Sequence, residues 1–302
     1  MKAYPASARL LAIAVLCMGA QLALAGAAQA DPAASLRASY DGLQNQLSRN
    51  QFQRPLHLVS GETADGVTGE IYARIDYPFA TVRAGLSDPH DWCDILILHV
   101  NTKYCRAAPG SRGTVLDVSI GRKYNEPLEQ AYRVGFAYRV AAQTADYLQV
   151  KLDADAGPYG THDYRIMLEA VPLDSGRSFI HFSYAFSYGY AGRLALQAYL
   201  ATIGQNKVGF AVVGKRTDGK PAYIHGLRGL VERNTMRYYL AVEAFLGAES
   251  APRQQRLEQR LREWFAGIER YPRQLHEMEQ QEYLEMKRHE YLRQQSAVPP
   301  PA

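Results

Sequence analysis

The spacing of apolar residues divides the chain into a strand-rich centre and helical ends. In residues 132–140 and 179–187 every second side chain is apolar or aromatic, and such alternation predicts strands with one buried face. In residues 227–246 apolar side chains recur every three or four positions, which predicts a long amphipathic helix. The pattern therefore predicts an α+β fold in which antiparallel strands precede one long helix.

The same criteria predict elements on either side of this centre. Residues 33–50 have helical spacing, residues 70–76 alternate as a strand, and residues 80–98 form a helical stretch broken at Asp88-Pro89. Further strands are predicted at residues 56–59, 97–103, 114–120, 147–152 and 164–171. Tight turns between these strands predict antiparallel hairpins.

The N-terminus carries the pattern of a secretory signal peptide. Lys2 and Arg9 precede an uncharged apolar run at residues 10–24, and an Ala-Gln-Ala sequence at 28–30 supplies the small residues of a cleavage site. Later in the chain no segment is apolar enough to predict a membrane span. These features predict a protein that works in the periplasm or is secreted.

The cysteines agree with export. Cys17 lies inside the signal and lacks the small residue that lipoprotein processing needs before it, so a lipid anchor is the weaker alternative. Cys93 and Cys105 remain as an even pair, which predicts a disulfide in an oxidising compartment. Two buried free thiols are the alternative. No metal-ligand spacing accompanies this pair, so no metal site is predicted.

Charge and motifs narrow the classes of function. Removing the signal lowers the formal net charge from +4 to +2, because Lys2 and Arg9 leave with it. That balance predicts no nucleic-acid partner. The sequence also lacks a phosphate-binding loop, a dinucleotide fingerprint, a nucleophile elbow and a His-Glu-x-x-His motif, so no cofactor is predicted.

The order of elements resembles the START-like helix-grip superfamily, which includes lipid-transfer domains and polyketide cyclase-like proteins. The resemblance covers about residues 56–246 and rests on the strand-to-helix passage 75–82, the closing helix 228–246, and Leu86, Asp88, Pro89 and Trp92. It implies a curved antiparallel sheet that grips the long helix around an apolar cavity. Residues 190–225 are longer than this fold requires.

Composition changes after Glu249, where acidic and basic side chains become equally common and β-branched residues rare. Leu257, Leu261, Trp264, Phe265 and Ile268 make a narrow apolar stripe in this part of the chain. The helices there either pack back on the domain or contact a protein partner. The predicted divisions are a signal peptide at 1–30, a helical segment at 31–55, the helix-grip domain at 56–248, a charged helical extension at 249–294 and a tail at 295–302.

Polar candidates for a site fall on one predicted strand and on the long helix. His99, Asn101 and Lys103 alternate along the strand, so they share a face that either lines the cavity or, as we favour, meets water. On the helix, Arg233 and Arg237 either tie the helix to the sheet or recognise a carboxylate or phosphate at the cavity mouth. Arg228 and Glu232 have the spacing of a surface ion pair.

Aromatic candidates follow from the strand faces. Trp92, Tyr138 and Tyr184 are assigned to the core or the cavity wall, and His181 to a structural position on its strand. The leading hypothesis is an exported soluble protein that binds or carries a lipid or another hydrophobic small molecule. The alternatives are an envelope interaction protein that uses residues 249–294, and a metal-independent cyclase- or hydratase-like enzyme that uses His99 and Glu232.

Overall fold

The computed structural model describes residues 31–111, 113–202 and 204–296, so the predicted signal peptide and most of the predicted tail lie outside the described residues. The helices are α1 Pro32–Gly42, α2 Gln44–Ser48, α3 Phe79–Leu86, α4 Pro89–Leu96, α5 Tyr190–Ala201, α6 Gly226–Gly247, α7 Arg253–Glu269, α8 Pro272–Leu275 and α9 Gln280–Gln295. The strands are β1 Leu56–Glu62, β2 Gly66–Ile75, β3 Thr102–Gly110, β4 Gly113–Ile120, β5 Tyr132–Gln143, β6 Leu148–Ala156, β7 Thr161–Pro172, β8 Ser178–Tyr188, β9 Val212–Lys215 and β10 Pro221–Tyr223.

Eight of the strands form one antiparallel sheet in the order β1-β2-β8-β7-β6-β5-β4-β3. The chain leaves the sheet after β2 through α3 and α4, enters again at the far edge with β3, and meanders back until β8 pairs with β2. Strands β9 and β10 form a separate hairpin between α5 and α6. This arrangement confirms the predicted α+β class.

The long helix α6 packs into the inward face of the sheet, where it contacts β1, β2 and β8. The inward side chains of β8 include Ile180, Phe182 and Phe186, which are all buried. Gly69 on β2 permits the close approach, because a side chain at this position would collide with Thr235 of α6. The predicted helix-grip architecture is confirmed by these contacts.

The break at Asp88-Pro89 is confirmed and has a local cause. The Asp88 carboxylate accepts a hydrogen bond from the backbone N–H of His90 at 2.8 Å, and Pro89 occupies the first helical position of α4, where its missing N–H costs nothing. Cys93 of α4 forms the predicted disulfide with Cys105 of β3. The bridge fixes the second helix to the edge of the sheet.

The predicted strand at 97–103 is wrong over most of its length. Ile97 and His99 donate backbone hydrogen bonds to residues of α4, and Thr102 donates to His99 at 3.0 Å, so the chain continues in turns until β3 begins. The run Ile95–Val100 is buried on all sides. A continuous apolar run gives no periodicity by which a strand and a buried turn can be distinguished.

The charged extension packs back on the domain. Its apolar stripe is buried except for Leu257, which is partly buried. The indole of Trp264 donates a hydrogen bond to the backbone oxygen of Arg237 in α6 at 3.0 Å. Trp264 also stacks on Tyr283 of α9 with ring centres 4.9 Å apart. Among the described residues no helix is both long enough and apolar enough to span a membrane.

Candidate functional site

A cavity of about 490 Å³ opens between the sheet, α5 and α6. The sheet contributes the inward side chains of β4, β5, β7 and β8, and α6 contributes Leu230, Asn234 and Tyr238. These three helical residues are spaced by four and therefore form one stripe along the helix. The remaining wall comes from Leu196 and Tyr199 of α5, from Asn101 before β3, and from the segments that follow β4 and β6.

Aromatic side chains are the largest group in the cavity wall, with eight of its twenty lining residues. The lining includes two phenylalanines and six tyrosines, namely Phe136, Phe186, Tyr132, Tyr159, Tyr164, Tyr184, Tyr199 and Tyr238. Tyr164 stacks on Phe186 at 5.3 Å, and Tyr184 lies against Tyr238 at 5.4 Å, between ring centres. Burial raises the pKa of Tyr164 to about 12, so its phenol is neutral at physiological pH and offers a hydroxyl rather than a charge.

A turn after β4 places a cation in the wall. The amide of Asn101 donates to the backbone oxygen of Gly121 at 2.6 Å, and the carboxylate of Glu126 accepts from the backbone N–H of Arg122 at 2.7 Å. Gly121 has no side chain because one would collide with Glu126. This turn directs Lys123 toward the cavity, of which it forms part of the lining.

Lys123 belongs to a group of charges that we call the Glu277 cluster, which consists of Lys123, Lys207, Arg237 and Glu277. Both Lys123 and Arg237 lie 2.6 Å from one carboxylate oxygen of Glu277, and Lys207 pairs with the other. Burial acts to raise the pKa of Glu277, but the attraction of Arg237 and the two lysines outweighs it and lowers this pKa to about 2. Burial, followed by repulsion from Arg237, lowers the pKa of Lys123 to about 7.

Arg233 adds a further positive charge beside this cluster. Its side chain is 2% exposed, and its Nη1 has no hydrogen-bond partner among the described residues. Burial and the nearby Arg237 lower the pKa of Arg233 to about 10. It interacts electrostatically with Tyr199 and precedes Asn234 in the chain, and both of these residues line the cavity.

The predicted site residues divide into those near the cavity and those away from it. Asn101 and Tyr184 line the cavity, and Arg233 and Arg237 lie behind its wall. Five predicted residues are absent from the lining: Trp92, His99, Lys103, Tyr138 and His181. The indole of Trp92 donates to the backbone oxygen of Leu86 at 2.9 Å and belongs to the core.

The expected surface position of His99 and Lys103 is wrong, because both residues are buried. His99 stacks on Tyr238 with ring centres 4.8 Å apart, and burial together with the charge of Arg237 holds the pKa of His99 well below its usual value. Lys103 lies 2.9 Å from Glu290, which also pairs with Lys287. We call these three residues the Glu290 cluster. The missed turn at 97–101 is the reason that their faces were misassigned.

The predicted surface ion pair of Arg228 and Glu232 is also wrong. Among the described residues no ion pair joins them; instead both meet Ser60, whose hydroxyl donates to Glu232 at 2.6 Å and accepts from Arg228 at 3.1 Å. Glu232 is fully buried and accepts hydrogen bonds from the backbone N–H groups of Phe210 and Ala211. A spacing of four residues permits an ion pair, but buried backbone donors that need an acceptor take precedence here.

His181 lies on the outward face of the sheet between two carboxylates. Its Nε2 is 2.9 Å from Glu70 and its Nδ1 is 3.1 Å from Glu169, while the ring stacks on Tyr72 at 4.2 Å. Tyr138 has a buried hydroxyl without a hydrogen-bond partner among the described residues. Neither residue reaches the cavity.

Most of the cavity residues were missed from sequence. Lys123 and Glu277 lie far apart in the chain and outside regular elements, so no local sequence pattern predicts their contact. Tyr164 is different, because it alternates with buried Ile166 and Leu168 along β7. Its inward position could have been found from that alternation.

Searches of known proteins find likeness in solved structures only. Norcoclaurine synthase from Thalictrum flavum, a point mutant in complex with a transition-state analogue, is 14% identical, covers 49% of this chain and 92% of its own, and has a TM-score of 0.32. A START superfamily protein from Mycobacterium smegmatis has 13% identity, coverages of 47% and 93%, and a TM-score of 0.31. An aromatase/cyclase from a Streptomyces species has 12% identity, coverages of 50% and 87%, and a TM-score of 0.30. No protein-family profile and no curated protein sequence matches.

Proposed function

We propose that the protein binds a hydrophobic small molecule in the tyrosine-lined cavity. The observation that carries this proposal is a cavity of about 490 Å³ between the sheet and α6 whose lining includes eight aromatic side chains. Small-molecule sites in proteins are concave, largely apolar and furnished with a few oriented polar groups. A ligand that buries roughly 200 Å² of apolar surface there would gain about 5 kcal/mol from the hydrophobic effect.

Export is part of the same proposal. The N-terminal pattern favours cleavage after Ala30, and the bond between Cys93 and Cys105 is of the kind that persists in oxidising compartments. Cell fractionation followed by intact-mass measurement tests it. A periplasmic or secreted chain that begins at Asp31 is expected, and a cytoplasmic chain with Met1 retained would contradict export.

Binding can be tested with N-phenylnaphthylamine, an uncharged aromatic probe whose fluorescence rises in apolar surroundings. We expect the chain from Asp31 onward to bind it, and Leu230→Trp to weaken binding at least tenfold, because the larger ring fills the cavity. The matched control is Leu292→Trp, since Leu292 is 69% exposed on α9. Equal binding by both variants would contradict the proposed site.

The structure gives less support to the enzyme hypothesis and to the protein-interaction hypothesis. The enzyme hypothesis required His99 and Glu232 to meet in one pocket, and neither side chain is among the residues that line the cavity. For the interaction hypothesis, the apolar stripe of the extension is occupied by its packing on the domain. A protein partner at residues 249–294 stays a prediction and would have to recognise the charged outer face of these helices.

A further inference from the structure

The wall beside Tyr199 carries more positive than negative charge. Glu277 is the carboxylate to which Lys123, Lys207 and Arg237 all pair, and Arg233 lies within electrostatic reach of it. Three cations thus pair with one carboxylate, and a fourth lies nearby. Glu232 is the next acidic group near Arg233, but its oxygens already accept from Ser60 and from two backbone N–H groups.

This surplus charge is buried rather than solvated. Arg233 and Arg237 are each 2% exposed, and Arg233 keeps an unpartnered Nη1 among the described residues. Buried donors without an acceptor are costly, and charges in a medium of low polarity interact strongly. An added anion beside Lys123 would therefore relieve the repulsion among these cations.

Lys123 links this charged wall to the cavity. It is the member of the Glu277 cluster that lines the cavity, where eight of the other lining residues are aromatic. On the same segment Arg122 and Glu126 also line the cavity, with Glu126 held by the backbone N–H of Arg122. A ligand in the cavity thus meets both aromatic side chains and a cation.

We propose that the ligand is an amphipathic anion, with an apolar or aromatic body against the tyrosines and a carboxylate, sulfonate or phosphate group at Lys123. The inference rests on the proposed function, because it assigns the chemical class of the molecule that occupies the same cavity. Ammonium and guanidinium groups form their strongest hydrogen bonds with such oxyanions.

Proton linkage follows from the state of Lys123. Because the pKa of Lys123 is about 7, an anion that prefers the ammonium form takes up a proton on binding, and its affinity falls as the pH rises through that value. The charged and titratable groups near Lys123 are Arg122, Glu126, Lys207, Arg237, Glu277 and the buried His99. Glu277 titrates near 2 and His99 well below 6.5, so neither changes charge in the range of interest.

The test compares two probes that differ in one charged group. Anilinonaphthalene sulfonate carries a permanent anion, and N-phenylnaphthylamine is its uncharged counterpart. We expect Lys123→Gln to weaken the sulfonate about tenfold or more, as loss of a charge-assisted hydrogen bond does, and to leave the uncharged probe unchanged. Lys151→Gln, on the outward face of β6, is the matched control and should affect neither probe.

The pH profile and Glu277→Gln provide independent measurements. Affinity of the wild-type chain for the sulfonate should fall between about pH 6 and about pH 8, and Lys123→Gln should abolish this trend. Glu277→Gln removes the competing carboxylate, so it should strengthen sulfonate binding severalfold. The rise in unfolding temperature on adding the probe measures this binding even if the variant without the probe is less stable than the wild type.

Opposite results separate the two proposals. If neither probe binds, the proposed function fails. If the uncharged probe binds but the sulfonate gains nothing from Lys123, the ligand class is wrong and the cavity proposal stands. Inorganic phosphate should not displace the bound sulfonate probe, because phosphate lacks an apolar body. Displacement of the probe by phosphate at equal concentration would show a site for free anions and would contradict the proposed amphipathic ligand.

Discussion

Two buried basic clusters join the C-terminal extension to the domain, and they differ in how well their donors are matched. In the Glu290 cluster, Lys103 donates to the backbone oxygen of Val100, to the sulfur of Met286 and to Glu290. Lys287 donates to the backbone oxygens of His99 and Thr102 and to the other oxygen of Glu290. Each ammonium group therefore has three acceptors for three hydrogens.

The Glu277 cluster also sets basic side chains around one glutamate, but without that balance. Glu277 is shared by three cations, Arg233 adds a fourth charge nearby, and one nitrogen of Arg233 is left without an acceptor among the described residues. The first cluster is closed to solvent, whereas the second includes a side chain of the cavity wall. The difference teaches that a fully matched buried network fastens one element to another, whereas an incompletely matched one keeps a cost that a further acceptor would relieve.

The largest effect expected from this comparison is on Glu290→Gln. The substitution leaves two fully buried ammonium groups without their anion, which should cost about 3–5 kcal/mol of the free energy of unfolding. Urea unfolding measures it, with Glu282→Gln on the exposed face of α9 as the matched control. A variant as stable as the control would mean that the cluster does not hold α9 to the domain.

A third polar cluster, on the outward face, sharpens the comparison through its pH dependence. Burial opposes the charge of His181, but hydrogen bonds from its ring to Glu169 and Glu70 raise the pKa of this histidine. The bond to His181 lowers the pKa of Glu70, and that of Glu169 is lowered despite its burial. These groups stabilise the fold most when the carboxylates are ionised and the imidazole is protonated.

The directions of these pKa shifts determine how the stability of the fold depends on pH. The share of His181 is complete below its unfolded pKa of 6.5 and is lost as the pH rises through its higher folded value; the share of the two carboxylates is complete above 4.5 and is lost as the pH falls. The wild type should therefore be most resistant to thermal unfolding between about pH 4.5 and about pH 6.5. His181→Gln should lower the stability at this optimum, relative to higher pH, by about 1 kcal/mol. A variant with the same pH profile as the wild type would show that His181 does not contribute in this way.

The fold was largely predictable from sequence because its elements are periodic. Alternation in β5 and β8 and the helical stripe of α6 each identify a buried face from neighbouring residues alone. The aromatic wall followed in part, since Tyr184 sits on such a face. The charged wall did not, because Lys123 and Glu277 lie in irregular segments, and contacts between such segments depend on the complete tertiary structure.

The smallest expected loss of stability is that of Lys123→Gln, and comparing it with Lys287→Gln tests the difference between the two clusters directly. Lys123→Gln removes a surplus cation and leaves Glu277 paired with Arg237 and Lys207, so the free energy of unfolding should change by less than about 1 kcal/mol. Lys287→Gln removes a fully matched cation and should cost several times as much. Urea unfolding of both variants at one pH decides the matter. Equal losses in the free energy of unfolding would show that Lys123 is a structural residue like Lys287. The charge beside the cavity would then not support the binding of an anion.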